Sequence, residues 1–209
     1  MQILVAAATE LEIKPFVKNN PSADIHITGV GSPSAIYHLT KRIQLLDYDL
    51  VIQAGIAGSF LHEMKLGEVV IVSADTFSDL GIKTKNGFSD IFNEGLADKN
   101  EWPYKNGWLV NESEIFINLP YEKVRGVTVN TVTDQKLVIS EMTLQFKPVI
   151  ESMEGAALHY VCLQENVPFI QLRSISNYVG ERDKSKWKMQ EAIKNLNKEL
   201  EIIIEKVKG

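Results

Sequence analysis

Short apolar runs bounded by glycine or aspartate recur along this chain, and they constrain its fold more than any other feature. They are Ile3–Ala8, Ile25–Val30, Leu50–Ala54, Glu68–Ser73, Val124–Val129 and Phe169–Ile175. Runs of this length suit strands buried on both faces of a sheet, where neither face can carry a polar alternate. Helical patterns separate several of them. The clearest is Ser34–Leu46, where Pro33 suits a first turn and Ser32 an N-cap. The others are Val149–Glu165 and the charged stretch Lys186–Lys208. This alternation predicts an α/β fold, a three-layer αβα arrangement around a central mixed β-sheet, with residues 1–209 forming one domain.

The segment from Phe77 to Asn111 breaks the pattern. It is rich in Gly, Asn, Asp and aromatics (Phe88, Phe92, Trp102, Tyr104, Trp108) and keeps no period. A long irregular insertion in a compact domain is usually functional or mobile. Composition narrows the partners. The net charge of −5, with no basic block, argues against nucleic acid. No apolar run reaches the roughly 20 residues of a membrane span. The first residues lack a basic n-region and read as a strand, so the expected compartment is the cytoplasm. Cys162 falls in an apolar helical stretch and reads as a small buried hydrophobe. His26, His38, His62 and His159 show no ligand spacing, so no metal site is expected.

In open α/β sheets ligands collect beyond the carboxyl ends of strands. Several strand ends here carry unusual residues. Ala8-Thr9-Glu10-Leu11-Glu12 places two acids at a helix start, where a capping device would also want them. Thr28-Gly29-Val30-Gly31-Ser32-Pro33-Ser34 and Gln53-Ala54-Gly55-Ile56-Ala57-Gly58-Ser59 are glycine-rich, which allows close backbone approach to a ligand and equally marks tight turns. Glu151-Ser152-Met153-Glu154-Gly155-Ala156-Ala157 puts an acid at the head of an apolar helix. Gln171-Leu172-Arg173-Ser174-Ile175-Ser176-Asn177-Tyr178 ends a buried strand with Arg, Ser and Asn. Taken singly, Glu154 fits a helix-dipole acid and Asn177 a turn residue.

In this order the pieces resemble the purine nucleoside phosphorylase and methylthioadenosine/adenosylhomocysteine nucleosidase superfamily over almost the whole chain. The most specific part is Met153-Glu-Gly-Ala-Ala157 followed about twenty residues later by Arg173-Ser-Ile-Ser176. The stretch from Arg173 to Asp183, closing on Trp187, is similar to the branch that hydrolyses futalosine. The middle, Phe77 to Asn111, matches family patterns poorly.

The resemblance implies an N-glycosidic bond hydrolase acting on a small purine nucleoside, without a cofactor, as a homo-oligomer whose clefts border a neighbour. It implies Glu12 as the water-activating base, Met153 and Glu154 at the ribose, and Gly55, Ile56, Ser176 and Asn177 around the substrate. Asn177 stands where adenine-specific members carry Asp. A carboxamide donates through its NH2 and accepts through its oxygen, which suits the 6-oxo group and protonated N7 of hypoxanthine. A phosphorylase would need arginines to grip phosphate. The chain has only Arg42, Arg125, Arg173 and Arg182, none in the first forty residues, where the family's phosphorylases place one. Ser32-Pro33-Ser34 keeps a phosphorylase acting on inosine or guanosine as the alternative, beside a methylthioadenosine-type nucleosidase. Ile56 occupies a position often polar in related nucleosidases. Arg173 suits an ion-pair partner or a substrate contact, and a distal carboxylate on the substrate calls for a cation such as a Lys or His of the irregular segment.

Overall fold

The structure, a computed structural model, describes residues 1–19, 22–85 and 87–208. In chain order its elements are β1 Ile3–Ala7, α1 Glu10–Asn19, β2 Asp24–Ile27, α2 Ser32–Leu45, β3 Leu50–Ser59, β4 Val69–Asp75, β5 Gly81–Thr84 and β6 Gly87–Asp90. There follow β7 Leu109–Val110, α3 Glu114–Ile117, β8 Lys123–Thr128, α4 Lys136–Phe146, β9 Ile150–Ser152, α5 Gly155–Gln164, β10 Phe169–Tyr178 and α6 Met189–Lys208. The fold is α/β with a central mixed sheet in the order β10-β4-β8-β9-β3-β1-β2, and β7 pairs with β4. Because β10 also pairs with β3, five of these strands close on themselves while β1 and β2 extend outward.

Residue alternation explains the layers. Along β1, Ile3, Val5 and Ala7 enter one core with Ile13 and Phe16 of α1 and Leu196, Leu200 and Ile203 of α6. Leu4 and Ala6 enter a second core with Leu39 and Ile43 of α2 and Leu158, Val161 and Cys162 of α5. A strand with helices on both faces has no solvent side, hence its unbroken apolar run. Helix α6 buries Ala192, Leu196, Leu200, Ile203 and Ile204, a stripe at helical spacing, and leaves its charged face to water. No helix among the described residues is long and apolar enough to cross a membrane.

Several boundaries differ from the sequence reading. The apolar stretch Val149–Glu165 is not one helix. Ile150–Ser152 forms β9, wedged antiparallel to β3 and parallel to β8, and α5 starts only at Gly155. A short apolar run cannot announce which of the two states it takes. Strand β3 continues through both glycines to Ser59, and β10 runs to Tyr178 across a register shift between Ile175 and Asn177. The N-cap of α2 is Gly31, not Ser32, which lies inside the helix beside Pro33. The last helix begins at Met189, after a 3-10 turn at Lys184–Lys186. Within 77–111, apart from Asn86, which lies outside the described residues, the chain forms the β5–β6 hairpin and then turns up to β7.

Candidate active site

The carboxyl ends of β1, β3 and β10 and the loop after β9 meet around a cavity of about 300 Å³. Its wall carries Glu12, Ile56, Glu151, Met153, Glu154, Ser176 and Asn177, with Arg182 and Trp187 at one side. A wider groove of about 630 Å³ between α1 and α6 is walled by lysine stems, amides and apolar carbons, with one acid, and brings together no comparable set of acceptors.

Glu12 is fixed at both oxygens. Thr9 donates to Oε2 from its backbone N and from Oγ1, each at 3.0 Å, and the Ile56 N–H reaches Oε1 at 3.2 Å. The first contact is the reciprocal half of a capping box, Thr9 at the N-cap and Glu12 three residues on. The capping explanation of this acid is therefore realised in the same carboxylate that lines the cavity. Nearby, Gly55 leaves room for a buried cation: a Cβ there would lie 2.2 Å from Arg173 Nη1 and 3.1 Å from Glu12 Oε1. Arg173 is buried at 1 % exposure and donates to Gln53 Oε1 at 2.5 Å and to the Ile56 carbonyl at 3.5 Å. It makes no ion pair among the described residues, and its Nε has no partner. The ion-pair reading of Arg173 is replaced by a guanidinium held by neutral oxygens, spreading positive potential toward the cavity acids.

Glu154 is the N-cap residue of α5. Its Oε1 accepts from the Gly31 N–H at 2.9 Å, which ties the carboxylate to the N-terminus of α2. Burial raises its carboxyl above the usual range, against the pull of Arg173 and the Gly31 N–H. Beneath it lies a second network. Asp75, fully buried, accepts from Thr128 Oγ1 at 2.9 Å and Gln171 Nε2 at 3.1 Å, and Thr128 Oγ1 in turn accepts from the Ala156 N–H at 2.7 Å. Burial pushes the Asp75 carboxyl up to about 6. Only a glycine fits above it, since a Cβ at Gly155 would meet Asp75 Oδ2 at 2.2 Å.

Asn177 presents a defined edge. Ser176 Oγ donates to its Oδ1 at 2.8 Å, and its Nδ2 donates to the Tyr178 carbonyl at 3.1 Å. One lone pair and one N–H remain for a partner in the cavity. Glu151, on the neighbouring β9, is 7 % exposed and receives no side-chain hydrogen bond among the described residues. Burial drives its carboxyl up to about 7, with the Arg182 charge pulling it back. Arg182 is the only Lys, Arg or His on the cavity wall, and its guanidinium sits 5.8 Å from the centroid of the Trp187 ring.

With the geometry in view, comparison with known proteins gives a consistent placement. The family model described as the phosphorylase superfamily matches residues 25–207. The chain belongs to this superfamily. It is similar to the futalosine hydrolase of Streptomyces coelicolor, 32% identical over 147 residues covering 70% of this chain and 61% of that protein. It is also similar to the futalosine hydrolase of Thermus thermophilus, 27% identical over 208 residues covering 92% of this chain and 91% of that one. The solved futalosine hydrolase of Helicobacter pylori superposes with a TM-score of 0.82 at 15% identity, covering 99% of this chain and 98% of that chain, which establishes the shared fold.

Against this superfamily frame, the structure brings Glu12, Ile56, Met153, Glu154, Ser176 and Asn177 to one cavity. Gly55 is not on its wall; it makes space for Arg173 behind it. Ile56 contributes its side chain to the wall and its backbone N–H to Glu12. Two wall residues escaped the sequence reading as ligand contacts. Glu151 was hidden by the helical interpretation of its stretch, and its three-residue strand, buried throughout, carries no alternation that would have exposed it. Arg182 is the cation on this wall, and none of the described residues of the irregular segment lines the cavity. Among the described residues no group of His, Cys, Asp and Glu is arranged to hold a metal.

Proposed function

We propose that this chain hydrolyses the N-glycosidic bond of futalosine, releasing hypoxanthine and the base-free sugar derivative. The observation that carries the reading is the pairing, in one cavity, of a doubly anchored Glu12 with an Asn177 carboxamide that keeps one acceptor and one donor free. Relatives named futalosine hydrolase support the substrate.

In this reading Glu12 takes a proton from water as the oxygen bonds to the anomeric carbon. Its anchors hold the carboxylate where it needs little reorganisation. Glu154 accepts from ribose hydroxyls, and Met153 packs against the sugar; a carboxylate there steadies the developing oxocarbenium charge. The C–N bond breaks with its electron pair on the purine, and the base leaves with N7 protonated. Asn177 accepts from that N7–H and donates to the 6-oxo group. A carboxamide has no proton to release, so N7 takes its proton from solvent water in the cavity, and the proton that Glu12 took up returns to solvent after the product leaves. Arg182 is the candidate for the substrate's distal carboxylate.

Where the basic and helix-end groups go supports water rather than phosphate, with Arg182 the one arginine left on the cavity wall. Arg42 pairs with Asp24, Arg125 lies over Trp108 at 5.2 Å, and Arg173 is buried against Gln53. Ser32 Oγ donates to the Met153 carbonyl and Ser34 Oγ to the Thr28 carbonyl, while the Gly31 N–H is taken by Glu154. The groups that would cradle a phosphate at the α2 N-terminus are thus already engaged. We further infer a homo-oligomer in the cytoplasm, with the cavity mouth bordered by a neighbour.

The test is base release from futalosine, inosine and methylthioadenosine, each with and without phosphate. The reading expects hypoxanthine from futalosine at a rate indifferent to phosphate. Release from inosine only with phosphate, or a preference for methylthioadenosine, would overturn it.

A further inference from the structure

Helix α6 carries an amide where its packing calls for an apolar side chain. Its core-facing stripe of Ala192, Leu196, Leu200, Ile203 and Ile204 includes Asn197, buried at 3 % exposure. Asparagine is a poor helix former, and a buried amide is costly unless its donors and its acceptor are met. Here they are. Asn197 Nδ2 donates to the Ile193 carbonyl at 2.6 Å and to the Glu12 carbonyl at 2.8 Å, and Oδ1 accepts from the Phe16 N–H at 2.9 Å.

The Glu12 carbonyl and the Phe16 N–H form one rung of α1, and in a regular helix they bond to each other. Asn197 pairs with both. The rung before it cannot form, because Pro15, inside α1, has no N–H for the Leu11 carbonyl and its ring crowds that oxygen. The first turn of α1 is therefore loosened from the rest of its helix just where the amide holds it. Leu11, Glu12 and Ile193 all stand on the cavity wall, so Asn197 joins two wall residues from behind. The approach to α6 is fixed as well: the Lys188 N–H donates to the Ser176 carbonyl at 2.8 Å, next to Asn177.

We propose that Asn197 is a positioning residue for the reaction, holding the first turn of α1, and with it the Glu12 carboxylate, in register with the Asn177 end of the cavity. This rests on the reading above, in which Glu12 takes a proton from water. Thr9 and the Ile56 N–H orient the carboxylate, but Thr9 belongs to the same turn and moves with it. Asn197 instead ties the turn to a helix packed in the core, where Leu196 and Leu200 meet Ile13 and Phe16. A general base acts only within hydrogen-bond reach of its water, and a displacement of about 1 Å can cost about a hundredfold in rate.

Steady-state kinetics on futalosine test this with the wild type, Asn197→Ala, Glu12→Gln and the double variant, each well below its melting transition. In Asn197→Ala, kcat should fall about ten- to a hundredfold while KM stays within about threefold. Added to Glu12→Gln, the same substitution should change kcat by less than about twofold, because it acts only through the base. Asn197→Leu, which continues the apolar stripe of α6, carries the same contrast should the alanine variant fail to fold. A kcat within twofold of wild type in a folded Asn197 variant, or an equal loss with and without the Glu12 carboxylate, would reduce Asn197 to packing. Either result overturns the proposal and leaves the hydrolase reading intact. A Glu12→Gln variant as active as wild type would instead sink the assignment of the base, and this inference with it.

Discussion

Two regions of this molecule look alike in composition and behave differently. The strand-end loops around Glu12, Gly31 and Glu154, and the irregular segment 77–111, are both rich in glycine and polar residues. The loops converge because each follows a strand of the central sheet, whose register fixes where their side chains emerge. The segment stays bridged to β8 at Phe77, which pairs with Thr128, then forms its own hairpin and returns through the two residues of β7. Its described residues stay off the cavity wall. Its influence is indirect: Asp79 accepts from the backbone N–H groups of Asn130 at 2.6 Å and Thr131 at 3.3 Å, beside Val132 on the wall. Irregularity in a sequence marks a departure from the scaffold, whereas a reactive site needs the scaffold's registration.

That contrast can be broken in several ways, and the largest effect belongs to the strand ends. Glu12→Gln preserves the capping geometry, since glutamine serves the same box, but cannot take a proton. Turnover is expected to fall by about 10²–10⁴ with the melting temperature unchanged. Comparable activity in the variant would make Glu12 a cap and nothing more.

Asp75 stands where the two regions part. Its carboxyl, raised to about 6 from an ordinary 3.8, is costly to ionise in the folded state. The stability tied to its neutral form is complete below about pH 4 and is lost as pH rises through about 6. Asp75→Asn cannot ionise. The stability difference between wild type and variant should therefore shift by about 3 kcal/mol between about pH 4 and pH 7, in the variant's favour at the higher pH. Denaturant titrations at the two pH values decide it; parallel behaviour would contradict the assigned environment.

Asn177→Asp should move preference toward 6-aminopurine nucleosides by about ten- to a hundredfold in relative kcat/KM, because the exchanged edge leaves one polar group unpaired with the wrong base. An unaltered ratio would count against the edge argument. The smallest effect is expected from the irregular segment. Asp79→Ala loosens the turn at 130–131 and should raise KM by less than about fivefold, leaving kcat alone. A loss beyond tenfold would give the segment a direct part in the site and erase the contrast drawn here.

The core was the most readable part of the sequence. Ile3 to Ala7 alternate between two cores, so their run had to be apolar throughout. Glu12, Met153, Glu154 and Asn177 were legible as unusual residues at strand ends, though only their order along the chain suggested that they meet. Gly55 clears space for Arg173, and in sequence such a glycine leaves the same trace as one beside a ligand. Glu151 escaped because Val149–Glu165 reads equally as helix; pairing with Gly58 and Val127 decides otherwise, and pairing is not a local property. Arg182 lies in a loop whose path is set by the 3-10 turn and by Trp187 Nε1 donating to the Glu181 carbonyl, neither of which is written in periodicity.

The account rests most heavily on water, not phosphate, attacking the sugar. The direct measurement is to run the reaction on futalosine in water labelled with heavy oxygen, with phosphate present, and to identify the sugar product by mass spectrometry. The account predicts heavy oxygen at the anomeric carbon and no sugar phosphate. A sugar 1-phosphate without the label would contradict it.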